Sequence, residues 1–62
     1  MAPGDRYIKV DAPTIIWIVI DTVTADGSVP HVRLDQEGTS RTITLSVSAL
    51  QDRSIYKKLP PP

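Results

Sequence analysis

Apolar and polar residues alternate with a period of two over short stretches bounded by Gly, Pro and Asp, and helical periodicity is missing almost everywhere, which predicts an all-β chain. RYIKV (residues 6–10) reads as a first strand, with Ile8 and Val10 on one face and Tyr7 and Lys9 on the other. Pro13 breaks the pattern, and a long second strand follows over 14–24, TIIWIVIDTVT, with six apolar residues in a row from Ile15 to Ile20. ADG turns the chain into VPHVRLD, where Pro30, Val32 and Leu34 oppose His31, Arg33 and Asp35. Pro30 lacks a ladder donor and belongs at an edge or a strand start. QEGTS is the next turn, with Gly38 able to take positive φ. RTITLSV (41–47) places Ile43, Leu45 and Val47 inward and Thr42, Thr44 and Ser46 outward. SALQD suits a single 3₁₀ turn, SIYKKL a short last strand, and the terminal PPP can only be extended.

The facing of the second strand depends on the hairpin that follows it, because a shift of one residue exchanges its two faces. A two-residue Asp26-Gly27 turn sets Val19 opposite Leu34 and Asp21 opposite Val32, which brings a carboxylate to the core face. A three-residue Ala25-Asp26-Gly27 loop, with Gly27 in the left-handed region, sets Ile18 opposite Leu34 and Ile20 opposite Val32 and turns Asp21 outward. Burying an unpaired carboxylate is costly, so the three-residue loop is favoured. It predicts Ile16, Ile18 and Ile20 as core and Ile15, Trp17 and Val19 as an outer stripe beside His31 and Arg33.

Such a stripe has three explanations. A curled sheet can wrap the strand so that Tyr7, Tyr56 or the tail covers Trp17; a second copy of the chain can cover it; or it can receive a peptide, a protein or a single-stranded nucleic acid. A sheet of this size covers its own core only by curling. From GDRYIKV through the Trp-centred strand and the DG hairpin to SVSALQDRSIYKKL, the layout resembles an SH3-like barrel. That resemblance implies a small five-stranded barrel with one short 3₁₀ turn before the last strand, as a single domain over 1–62 with its ordered part at about 5–59 and a Pro-rich tail at 60–62. The early GDRY and late SVSAL are distantly similar to the plasmid-borne type II dihydrofolate reductases, whose chemistry sits on a Val-Gln-Ile-Tyr strand. The corresponding Ile43-Thr44-Leu45-Ser46 has neither the Gln nor the Tyr, so the resemblance carries no activity here.

Composition narrows the partners. A chain of 62 residues buries too little surface to be robust alone, and with no Cys it can form neither disulfides nor thiolate metal sites, so self-association is the remaining reinforcement. No spacing of Asp and Glu resembles a calcium loop, and neither metal nor cofactor is expected. Seven basic and seven acidic residues cancel, removing any general attraction to nucleic acid. A local patch is still open if Arg33, Arg41 and Arg53 gather on one side with Tyr56, Lys57 and Lys58. The apolar run is too short to cross a bilayer, and MAPGDRY has no basic segment leading into an apolar one, so a cytoplasmic protein is expected. His31, the only histidine, reads as a solvated strand residue rather than a catalytic base. The expectation is a small non-enzymatic interaction or structural module, self-associating through Ile15, Trp17, Val19, His31 and Arg33, with protein or peptide partners open and nucleic-acid binding as the alternative.

Overall fold

A computed structural model of the chain describes residues 1–24 and 29–60. Five antiparallel strands form one open sheet in the order β4-β3-β2-β1-β5: β1 is Arg6–Lys9, β2 Ala12–Val23, β3 His31–Gln36, β4 Thr42–Ser46 and β5 Tyr56–Lys58. One helical turn, α1 (Val47–Leu50), links β4 to β5. The fold is all-β, as the alternation predicts.

Several details depart from the expected boundaries for local reasons. Pro13 does not delay β2. Lys9 already pairs with Ala12 across a tight Val10-Asp11 connection, and Pro13 sits in the opening residues of the strand, where a missing donor is tolerated. The turn after β4 starts at Val47 and is α-helical rather than 3₁₀. Ser46 caps it by accepting the Ala49 N–H at 3.2 Å, and Gln51 N–H reaches back to the Val47 carbonyl at 3.0 Å. β5 is shorter than SIYKKL because the Asp52 side chain accepts from Ser54 N–H at 3.0 Å and from its hydroxyl at 2.6 Å, holding 52–55 in a turn. Gly38 takes the expected positive φ, +83°.

The long strand resolves its facing with a bulge. Val19 pairs with Leu34, but the next pair is Asp21 with Arg33, so Ile20 is an extra residue without a partner in β3. Beyond it Thr22 pairs with Val32 and Val23 with His31. On the core side of the bulge the alignment is therefore the one the sequence disfavoured. The bulge then reverses the alternation, so Asp21 still points outward, where it meets Arg33. The objection to a buried carboxylate holds, but one inserted residue answers it in place of a shifted ladder. The predicted Ala25-Asp26-Gly27 loop itself lies outside the described residues.

The expected core set of Ile16, Ile18 and Ile20 is thereby overturned. Tyr7, Trp17, Val19, Val32, Leu34, Leu50 and Tyr56 form the core, with Val32 and Leu34 fully covered and Ile15, Ile43, Leu45 and Val47 packed against it. Tyr7 lies directly opposite Trp17 in the β1–β2 ladder, and both rings are buried. Each such side chain contributes on the order of 1.5–3 kcal/mol. The other face carries Ile8 opposite Ile16 and Ile18 between Arg6 and Asp35, all three isoleucines half-buried, with the Arg6–Glu37 ion pair (3.1 Å) beside them. Ile20 is 37% exposed.

Because the pairs on either side of Ile20 are already in register, deleting Ile20 should leave both halves of the β2–β3 ladder intact. The expected result is a folded chain whose stability changes by no more than about 1 kcal/mol. Cross-strand amide contacts of Val19 with Leu34 and of Asp21 with Arg33 should persist, and their loss would contradict the bulge.

Candidate binding cleft

The first group of predicted surface residues does not share a surface. Trp17 is 7% and Val19 2% exposed, both inside the core, and Ile15 packs against it. The expected outer stripe is therefore an inner one, because Val19, not Ile18, pairs with Leu34. Tyr7 and Tyr56 share the buried cluster with Trp17, as the wrapped alternative has it for the ring, but the sheet is open and the strand's other face, Ile16, Ile18 and Ile20, is half-buried to exposed. Arg33 lies on the opposite face, where its guanidinium grips both carboxylate oxygens of Asp21, Nε to Oδ1 at 2.7 Å and Nη2 to Oδ2. That pair holds the Asp21 carboxyl below its usual range and pushes Arg33 up. His31 is half-buried, and its Nδ1 lies 2.6 Å from the Val29 carbonyl. Its recorded partner is thus a main-chain carbonyl rather than a nucleophile or a carboxylate.

The second group fares differently. Tyr56 is core, Lys57 and Lys58 are exposed on β5, and Arg41 stands exposed before β4, apart from them. Around β5 and α1 a cleft of about 740 Å³ is lined by Tyr7, Leu50, Gln51, Arg53, Tyr56, Lys57 and Lys58. The turn at 52–55 swings Arg53 to the side occupied by the two lysines, and α1 supplies Leu50 and Gln51. Among the described residues, three cations and no acid line this cleft. The tyrosine rings are each 7% exposed, so they make a floor rather than open stacking platforms. Lys58 also meets Asp5 at 3.4 Å; the Asp5 carboxyl is held low first by the Ala2 N–H and then by Lys58.

Tyr56, Lys57 and Lys58 were legible as a cluster because they are adjacent in sequence. Arg53, grouped with them as a cation of the same segment, joins them, whereas Tyr7, Leu50 and Gln51 were not placed there, since they come from β1 and from a turn whose direction the sequence leaves open. A second hollow of about 170 Å³ is lined by Lys9, Val10, Asp11, Ser54 and Ile55, with Val10 and Ile55 exposed on its wall. Among the described residues there is no group of His, Asp and Glu placed to hold a metal ion, and no helix long and apolar enough to cross a membrane. No family model matches the chain, and no curated protein or solved structure does so either.

Proposed function

We propose that the chain is a small non-enzymatic binding module, SH3-like in plan, that holds a single-stranded nucleic acid along the cleft between α1 and β5. The observation that carries this is the cleft lining: Arg53, Lys57 and Lys58 around two tyrosines and Gln51, without an acidic side chain. The SH3-like plan is supported by the strand order β4-β3-β2-β1-β5 and by a helical turn between β4 and β5. Phosphates of a flexible strand can follow three cations spread along a groove, and Arg53 can meet one of them through two N–H groups. The buried rings offer edges and hydroxyls, so contact falls on the backbone and little on base identity. With zero net charge the attraction is local, and the ion pair of Lys58 with Asp5 competes with it.

A titration of labelled single-stranded oligothymidylate and oligouridylate tests this. Expected are dissociation constants on the order of 10⁻⁴–10⁻⁶ M, and a slope of about −2 in log affinity against log salt from three cations. Arg53→Gln should reduce that slope by about 0.7. Absence of binding at low salt overturns the proposal, and preferential binding of an oligoglutamate peptide would reassign the cleft to acidic peptides.

A further inference from the structure

The two edges of the sheet are unequal. At one edge β5 has three residues, two of them lysines, and Pro60 follows closely, all devices that discourage strand addition. At the other edge β4, Thr-Ile-Thr-Leu-Ser, has five residues with no charge, no proline and no bulge. Hydrogen-bond parity identifies the groups it offers. Gln36 N–H bonds the Arg41 carbonyl at 2.9 Å and Val47 N–H the Pro30 carbonyl at 3.0 Å, in step with the pairs Leu34–Ile43 and Val32–Leu45. Residues 41, 43, 45 and 47 thus turn their main-chain groups to β3, and Thr42, Thr44 and Ser46 turn theirs away from it.

We propose that this edge is where a second copy of the chain pairs, β4 against β4, antiparallel about a two-fold axis at Thr44. In that register Thr44 meets Thr44 of the other copy through two reciprocal N–H···O=C bonds, and Thr42 meets Ser46, whose N–H faces the Thr42 carbonyl while its own carbonyl belongs to the first turn of α1. On the inner face Ile43 of one copy comes opposite Leu45 of the other. Both are only half-buried in the single chain and pack on the rim of its core, so pairing extends an apolar layer that now ends at the edge. The strand is self-complementary because it is uncharged: a charge at Thr44 would confront its own image. Self-association is thus retained as a property of the chain but moved from the Trp17 side to the β4 edge. It stands independently of the nucleic-acid cleft, which lies at the other edge of the sheet.

A pairing of five residues is small, so the dimer is transient, with a dissociation constant on the order of 10–1000 μM. Sedimentation equilibrium of the full chain up to about 1 mM should show a monomer–dimer equilibrium. Amide exchange of Thr44 and Ser46 should slow with rising concentration, while Ile43 and Leu45, already bonded to β3, should change little. Thr44→Lys should raise the dissociation constant at least tenfold, whereas Thr39→Lys, exposed and outside β4, should leave it unchanged. Thr44→Pro removes the outward donor with the same expected weakening, and if that variant fails to fold, Thr44→Lys with a retained circular dichroism spectrum decides. A monomer throughout the range overturns the proposal. So does a dimer indifferent to Thr44→Lys, or a trimer or larger ring, which would put β4 against β5 of the next copy.

Discussion

Replacing Trp17 by alanine is expected to remove a large part of the chain's folding stability, enough to unfold it if the total lies at the low end of the range for its size. The ring is 7% exposed, faces Tyr7 across the β1–β2 ladder and belongs to the same core as Val19, Leu34 and Tyr56. Removing a buried aromatic of this size costs about 3–5 kcal/mol, because the lost burial is joined by a cavity that neighbouring strands cannot collapse into. A domain of 62 residues has only about 3–9 kcal/mol in total. Far-UV circular dichroism and proton chemical-shift dispersion check the result. A variant that stays folded, with a stability loss under about 1 kcal/mol, would mean that the ring faces solvent or a partner instead of this core.

The second large effect is expected at Leu50, the only buried side chain of α1. Leu50→Ala should cost about 2–5 kcal/mol, measured by urea unfolding, whereas Leu50→Met, similar in volume, should cost less than about 1.5 kcal/mol. Leu50 fastens to the core a turn that otherwise has little beyond its Ser46 cap, and it also lines the cleft with Gln51. Its loss should therefore weaken oligonucleotide binding even under conditions where most molecules remain folded. Unchanged stability would show that α1 is not seated on the sheet.

What the sequence could disclose depended on how cleanly polar residues alternate. In β3 the succession His31, Val32, Arg33, Leu34, Asp35 admits one facing only, and Val32 and Leu34 are indeed fully covered. The alternation of β4 is equally clear, and Ile43 and Leu45 pack against the core as expected. In β2 the residues from Ile15 to Ile20 satisfy either facing, so pattern gave no decision and the one polar clue, Asp21, was carried too far along the strand. A bulge formed at a plain isoleucine has no local signature, whereas a glycine there would have suggested one. The same ambiguity affected β1, where Tyr7 rather than the aliphatic Ile8 became core. In the cleft, Arg53, Tyr56, Lys57 and Lys58 could be grouped in advance as one basic segment, but the floor from Tyr7 and Leu50 could not, because it depends on strand pairing and on the direction of α1.

The pairing of the first strand with the last has a mechanical meaning. Leu59 N–H bonds the Arg6 carbonyl at 2.8 Å, and Tyr7 lies opposite Lys58, so the chain enters and leaves the sheet side by side at one end of the β1–β5 ladder. Tension applied between the two ends therefore does not shear that ladder all at once. It unzips β5 from β1 one pair at a time, starting at the Arg6–Leu59 bond, before the longer β2–β3 ladder bears any load. Lateral contact leaves these bonds unstressed, while stretching attacks them in sequence.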